Sequence, residues 1–600
     1  MDRSSLPKFI IFGLGLFLLV QFVLPKLTGG NAPAFQPLGR EGTAVMAQRP
    51  AETTCTVTGD RFKAELTSQG AALKHMKLDG AKYTVDGRPT SQAMDIITTP
   101  DVENRRSLRT EFRGPDANSQ VDYDLVDWKV EPTSNERQCV FSYEDSKVAL
   151  EKVVRAAGRP FELEVEMRVK NKAPERLRHR ASIENVAWRT DKELEASMGR
   201  QVPFTTQVEC LNNGKLEEFT SADFEPKDFS DGAHYIDGWR VSSGNIDFAA
   251  TSNYYFVQAL VPTDGPAPAT CQTQIEDRFD QSKYATRKDD PMGGAMYRSR
   301  LTWPAKELGP NETATYKAIE FVGPKEREVL ATAAGGTRNM ASLIRLGTFA
   351  PIARGLVWFL VQCHKLIGSW GVSIVLLTLS VRALLFPLQW KAIKSGGKMR
   401  LLKPELDELN ARYADDPQQK QLATMELWKK HDVNPLGGCL PMLVQMPVWL
   451  ALYTSLQTAA ELYHVPFLWL KDLSAPDTFL AFGHEIPFIL PVLLGVTSFV
   501  QQKIMPASGM DPAQQKMMST VMPLIFTGMM LFLPSGLGVY MFTNSLLGII
   551  QQIAVERYYT SQQPTPGGGS GGITVREKTT DEGGGKRDAL APLGKDKARV

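Results

Sequence analysis

The chain has 600 residues, 43% of them hydrophobic and 22% charged, with 68 basic against 66 acidic side chains and a formal charge of +2. At ~100–200 residues per domain this is too long for one soluble unit, and the balanced composition excludes a mostly disordered chain. It also argues against a nucleic-acid binder working through a strong global charge, so no sequence-specific nucleic-acid binding is expected.

The apolar residues are unevenly spread. Phe9–Leu24 is uncharged, and between Lys365 and Lys391 the only charge is Arg382. Val433–Ala460, Ile486–Gln502 and Met517–Val555 carry none over 28, 17 and 39 residues, the last interrupted by Pro534-Ser535-Gly536. A spanning helix needs ~20 apolar residues, so the 39-residue run reads as two spans and a turn. The expected architecture is a membrane α-helical bundle of six transmembrane helices, five forming the core, plus a large all-β sandwich domain outside the membrane.

In chain order, residues 1–26 are expected to be a transmembrane anchor. Ala32-Pro33-Ala34 resembles a signal cleavage site but lies far beyond the apolar run, which favours an uncleaved anchor. Residues 27–50, rich in Pro, Gly and Ala, read as a linker. Residues 51–325 carry short alternating runs between turn signals. Phe161–Val169 alternates for nine residues, and Asn253–Val261 and Thr315–Val322 are further strand candidates, predicting a β-sandwich.

Cys55, Cys139, Cys210 and Cys271 fall in this region. An exported compartment permits disulfides and four Cys allow three pairings, but a domain of this size does not need staples. The spacings match no zinc pattern, and no metal or cofactor is expected. His75, His179 and His234 are scattered without a catalytic arrangement, so no catalytic residue is assigned and the chain is not expected to be an enzyme. No phosphate-binding loop is present; Gly568–Gly572 fits a G-x-S-x-G pattern but lacks a strand–turn–helix setting.

Over residues 340–365, Leu343, Leu346, Phe349, Ile352, Leu356 and Leu360 recur at helical spacing, predicting an amphipathic helix on the outer membrane face with a kink at Pro351. Spans are then expected at 366–390, 435–460, 485–502, 517–533 and 537–556. The stretch 391–434 reads as a helical hairpin: Leu402, Leu406, Leu409 and Tyr413 share one face, and Asp416-Pro417 starts the second helix. Residues 557–600 form a Gly-rich basic tail, expected to be disordered.

Orientation follows from Lys and Arg near span ends. Lys391, Lys394, Lys398, Arg400 and Lys403 place the hairpin in the cytoplasm. The acidic loop holding Glu461, Asp472, Asp477 and Glu485 suits the outside, and the basic tail suits the inside. Six spans put both termini in the cytoplasm and residues 27–365 outside.

Arg382 is the most informative residue. It lies nine residues before Lys391, ~13 Å along a helix and therefore near the midplane. A charge there costs ~2.5–3.5 kcal/mol on insertion scales, and no Asp or Glu lies inside any uncharged run to offset it. Two explanations remain, a side chain that snorkels to the cytoplasmic headgroups and, favoured because the side chain covers only about half that distance, a water-filled cavity open to the cytoplasm. Thr378 sits one turn away on the same face, and Gln445, Thr543, Asn544, Ser545, Gln551 and Gln552 offer polarity from other spans. A fixed cation without an acidic partner suits an incoming anion better than a proton relay. Twelve of the 21 Met residues fall from Met399 onward, an adaptable lining for apolar partners.

Residues 340–557 resemble the YidC/Oxa/Alb family of membrane protein insertases, in the form with a large periplasmic domain found in two-membrane bacteria. The resemblance rests on Asn434-Pro-Leu-Gly-Gly-Cys-Leu-Pro441 with Gln445-Met-Pro447, and on Ser373-Ile374 through Arg382 to Phe386-Pro387-Leu388. Phe467-Leu-Trp-Leu-Lys-Asp-Leu-Ser474, Asp511-Pro-Ala-Gln-Gln-Lys516 and Pro534-Ser-Gly-Leu537 add to it. It implies an insertase and folding helper in the inner membrane, acting alone or with the Sec translocon. The implied substrates are nascent membrane proteins, contacted by Arg382, Thr378, Gln445, Tyr540, Met541 and Asn544 in a groove open to cytoplasm and lipid. Ribosome and targeting factors are implied partners of the hairpin and tail. Met541 stands where relatives often carry a second aromatic, and Asn544-Ser545 where they often have Ser-Asn. The competing readings are a transporter or lipid-translocating protein with a sugar-binding outer domain, and an anchored carbohydrate epimerase. A transporter predicts an intramembrane acid or inverted half-helices, and the sequence has neither.

Overall fold

The computed structural model describes residues 50–561 apart from 114–120, 124–125, 191–192, 194–204, 225–234, 237–238, 264–269, 278–293, 414–415, 432–439, 482–483, 488 and 505–520. The expected anchor at 1–26, nearly all of the linker at 27–50, His234, most of Asn434–Pro441 and the tail beyond Ser561 lie outside the described residues.

The alternation at 161–169 forms the strand Glu162–Asn171, in which Leu163, Val165, Met167 and Val169 are buried while Glu164 and Arg168 face solvent. Each buried side chain contributes ~1.5–3 kcal/mol through area removed from water. This strand sits inside a nine-stranded antiparallel sheet among the described residues. The sheet runs from Lys215–Phe219 through Gln207–Asn212, Ile246–Ser252, Phe256–Pro262, Thr313–Pro324, Glu162–Asn171, Val148–Ala156 and Gln138–Glu144 to Lys129–Val130. An eight-stranded sheet, centred on Leu177–Thr190 and Gly294–Thr302, packs against it, and Thr54–Gly59, Phe62–Thr67 and Leu73–Leu78 form a third, small sheet. The all-β outer domain expected from the sequence is thus present. Between the two large sheets Asn185 Nδ2 donates to both Glu320 carboxylate oxygens at 2.8 and 2.9 Å.

The four Cys are paired. Cys55–Cys139 ties the small sheet to the nine-stranded one, and Cys210–Cys271 bridges the two large sheets. The argument that so large a domain needs no staples is corrected here: each bridge joins separate sheets across 84 and 61 residues of chain. Long loops between layers are where a cross-link restricts the unfolded chain most.

The helical part opens with α1 (Ala350–Ile367), which starts one residue before Pro351, so this proline begins the helix instead of kinking it. Its fixed φ and missing N–H suit the first turn. Leu343, Leu346 and Phe349 therefore precede the helix, and the amphipathic segment expected from 340 starts at 350. Gly368, at φ +75°, caps α1 in the left-handed region, its N–H meeting His364 O at 2.7 Å. The chain turns directly into α2 (Trp370–Leu401), which continues past Pro387 well beyond the span boundary expected at 390. The hairpin follows as α3 (Lys403–Arg412) and α4 (Pro417–Lys430), with the Asp416 carboxylate accepting from Gln418 N and Gln419 N.

Then come α5 (Leu440–Gln457), α6 (Ile489–Ile504), α7 (Met522–Met529) and α8 (Ser535–Ser561). Residues 485–487, expected to open a span at 485, instead belong to the strand His484–Pro487 paired with Thr478–Ala481, because Pro487 prevents the helix from extending backward. Among the described residues, Trp370–Ser395 and Ser535–Tyr558 are long and apolar enough to cross a membrane, and α6 is a shorter apolar helix of 16 residues.

The loop between α5 and α6 organises the end of the bundle that touches the β domain. Asp477 Oδ2 accepts from Leu490 N (2.7 Å) at the start of α6, and Leu473 O accepts from Gly536 N (2.8 Å) at the start of α8. The same loop is bound to the β domain. Arg327 donates to Glu461 through its backbone N (2.9 Å) and Nη1 (2.6 Å), Lys82 Nζ donates to Ala460 O (3.3 Å), and Tyr463 packs on Tyr255 and Phe256.

Candidate functional site

The polar residues of the bundle converge where α2, α5, α6 and α8 face one another. Arg382, Gln501 and Asn544 lie nine to twelve residues from the first residue of α2, α6 and α8, hence at comparable depth. The Arg382 guanidinium is held by neutral acceptors only. Nε donates to Asn544 Oδ1 (2.7 Å), Nη2 to Asn544 O (2.6 Å), and Nη1 to Gln389 Oε1 (3.1 Å) and Gln551 Oε1 (3.2 Å). Among the described residues no carboxylate pairs with it. The cation is therefore fixed by amides while its charge is left uncompensated.

One turn closer to the start of α8 a second polar pair closes the site. Gln445 Nε2 on α5 donates to the Tyr540 hydroxyl on α8 at 3.0 Å. Tyr540 is buried in the bundle core with Leu377, Leu494 and Met530, and Met541 packs partly buried beside it. Thr378 is fully buried and its hydroxyl donates to Ile374 O of its own helix at 2.7 Å. The i−4 spacing placed it near Arg382, but the backbone has taken its hydroxyl. Gln552 is also directed elsewhere, donating to Glu556 at 2.6 Å.

Three participants were not anticipated. Gln389 lies two residues after Pro387, close to the basic boundary, and was read as the end of a span. Gly548 carries no chemistry of its own, yet a Cβ there would lie 2.8 Å from Arg382 Nη2. Gln501, near the C-terminal end of α6, has its Nε2 3.2 Å from that same point.

Among the described residues, the histidines of the β domain form no comparable site. His179 is buried against the Tyr316 hydroxyl at 2.9 Å, and burial together with the Lys306 charge lowers it to about 4, so it is a neutral core residue. His75 Nδ1 contacts Asp95 Oδ2 at 2.6 Å on the surface of the small sheet.

Comparison with known proteins matches two family models along the chain. Residues 54–359 match the YidC periplasmic domain and residues 362–563 the 60Kd inner membrane protein family. The membrane protein insertase YidC of Anaeromyxobacter dehalogenans strain 2CP-1 is 33% identical over 531 residues, covering 87% of each chain. That of Stenotrophomonas maltophilia strain K279a is 43% identical over 251 residues, 42% of each chain. Among solved structures, an active YidC insertase with its first transmembrane domain resolved aligns over 90% of this chain and 99% of its own, at 17% identity and a TM-score of 0.36.

Proposed function

The chain belongs to the YidC family of membrane protein insertases, and from that premise we propose that it inserts and helps fold integral proteins of the bacterial inner membrane through a groove centred on Arg382. An insertase transfers a chain between phases and makes or breaks no bond in it; the chain is not an enzyme. A bilayer offers no hydrogen-bond partner to a translocating polar segment, and a wet notch part-way through the membrane shortens the dry path. The apolar segment that follows leaves sideways into lipid.

The observation that carries this reading is the guanidinium bound to four neutral acceptors with no carboxylate. Its amide neighbours fix its position, so an arriving acidic side chain meets a preorganised charge. At 4 Å and an effective dielectric near 20, such a pair is worth ~4 kcal/mol before desolvation, enough to favour entry of an acidic tail. Gln445, Tyr540, Met541 and Asn544 form the rest of the substrate path. Thr378, with its hydroxyl committed to Ile374 O, supports the wall from behind.

The same reading places the β domain in the periplasm and the α3–α4 hairpin and both termini in the cytoplasm. The attachment of the α5–α6 loop to the β domain supports it, because two segments on one side of the membrane can touch. The Lys-rich hairpin and basic tail would meet the ribosome and targeting factors, and the bundle would meet the Sec translocon for some substrates. The test is photo-crosslinking from Gln445 and Met541 during translation of a short single-span protein, with exposed Leu384 as control. Nascent-chain adducts at the two groove positions and not at Leu384 are expected; adducts confined to Leu384 would contradict the groove.

A further inference from the structure

Pro387 interrupts α2 between two residues that hydrogen-bond to each other, Arg382 and Gln389. Proline carries no N–H, so the carbonyl oxygen of Ala383 loses its main-chain donor, and the ring presses on that carbonyl. Such a site opens a helix on the proline's side and bends it toward the opposite side. At 3.6 residues per turn, Pro387 lies roughly 140–160° around α2 from Arg382 and Gln389, which share a face two turns apart. Pro387 and Ala383 are exposed, whereas Arg382 and Gln389 are half-buried. The Arg382 Nη1–Gln389 Oε1 hydrogen bond (3.1 Å) therefore crosses the break on the side toward which the helix bends. Nη1 gives its second N–H to Gln551 Oε1 (3.2 Å), which ties the same atom to α8.

We propose that Gln389 is a positioning residue that, through Arg382, splints α2 across Pro387, so that the hydrogen bonding of Arg382 sets the bend of α2 and the place of the α3–α4 hairpin. The inference goes beyond the insertase reading and does not use the identity of what enters the groove. Leu401 lies fourteen residues beyond Pro387, ~21 Å along the helix, so each 10° of bend carries the start of the hairpin ~4 Å. The hairpin follows as one piece: Leu406 on α3 and Leu427 on α4 are both buried, and His431 Nε2 lies 3.3 Å from Glu405 Oε2. Trp390 also packs on Tyr558 of α8, with ring centroids 5.5 Å apart. Aromatic pairs keep their contact over centroid separations of ~4.5–7 Å, so this one lets the helices slide where the hydrogen bond fixes them. An acceptor that draws Nη1 away from Gln389 releases the splint, and the hairpin then moves with the freed inner part of α2.

The experiment reads the distance between spin labels attached through Glu408→Cys on α3 and Ile550→Cys on α8, both exposed positions, in the full chain in lipid nanodiscs with Cys363 and Cys439 replaced by Ser. Gln389→Leu removes the acceptor and should broaden the distance distribution by ~4 Å for each 10° of bend released. Gln389→Glu keeps an acceptor at the same reach and should retain the wild-type width, whereas Gln389→Asn, one methylene shorter, should not. Arg382→Met should broaden the distribution as Gln389→Leu does, and the two together no further. Pro387→Ala returns an N–H to Ala383 O, and in that background Gln389→Leu should have no effect. Equal broadening by Gln389→Leu with and without Pro387 would make Gln389 an ordinary packing residue and overturn the splint. A Gln389→Leu distribution as narrow as the wild type's would overturn it too. Every arm runs without substrate, so neither result bears on the insertase reading.

Discussion

Arg382 Nη2 donates to the backbone carbonyl oxygen of Asn544, 2.6 Å away on the facing helix. The bond ties α2 to α8 through an atom that no side-chain substitution removes. Asn544→Ala deletes only the Nε acceptor. A hydrogen bond to a charged group contributes ~1.5–3 kcal/mol, and water in an open groove replaces part of it. The expected result is a modest loss of insertion for Asn544→Ala, clearly smaller than for Arg382→Ala, measured on one acidic-tail substrate. Equal losses would mean that the side-chain amide, and not the carbonyl, holds the arginine.

The β domain and bundle meet at Arg327–Glu461, where one carboxylate receives both a backbone and a guanidinium N–H, with side-chain exposures of 20% and 14%. Glu461 lies in the loop that also fixes the N-terminal ends of α6 and α8. A double-mutant cycle of Arg327→Ala and Glu461→Ala should give a coupling of ~1–2 kcal/mol in thermal unfolding, above the usual surface pair. Additive effects would show that the two parts are joined mainly by the Tyr463 packing.

Glu326 sits under the same junction, accepting from Arg61 at 2.7 and 3.0 Å and from the Tyr83 hydroxyl, with Lys82 Nζ at 3.2 Å. Burial alone would raise its carboxyl, but Arg61, Lys82 and Tyr83 outweigh it and hold it at about 2. A folded-state value below the ordinary 4.5 means the stabilisation is complete above pH ~4.5 and is lost as pH falls toward 2. The depression corresponds to ~3 kcal/mol. Acid unfolding of the wild type should therefore steepen between pH 4.5 and 2, and Glu326→Gln should flatten that limb. An unchanged acid limb in the variant would remove Glu326 from the junction's energetics.

Cys210–Cys271 and Cys55–Cys139 each join two sheets. Substituting either pair by Ser should cost ~2–4 kcal/mol and lower the thermal midpoint of the β domain. Alkylation under native, non-reducing conditions should label none of these four Cys. Four accessible thiols would contradict the pairing.

Much of the fold was legible because burial imposes periodicity. Leu163, Val165, Met167 and Val169 announce a half-buried strand by alternation, and the solitary Arg382 announces a polar site by its cost in an apolar run. Asn544, Gln551 and Gln445 were visible as polarity in neighbouring uncharged runs, whereas Tyr540 entered only through the family resemblance, and all four lie in the polar cluster around Arg382 and Gln445. What escaped depends on three-dimensional proximity. Gly548 matters only because a guanidinium approaches its backbone, and no local pattern encodes that. Thr378 had the right spacing, but a Thr in a helix can satisfy itself on the preceding turn. The pairing of Cys210 with Cys271 follows from which strands face each other across the sandwich, and spacing carries no trace of it. Pro351 is ambiguous in sequence: the same residue kinks a helix or starts one, and only the preceding backbone decides.

The most direct test of the central claim is the insertion rate of a single-span protein with an Asp-bearing translocated tail, measured for wild type, Arg382→Ala and Arg382→Lys at equal amounts in the membrane. The account predicts that the Ala variant loses most of the rate and that Lys largely restores it, since the charge survives although the bidentate geometry does not. Full-rate insertion by Arg382→Ala would contradict it.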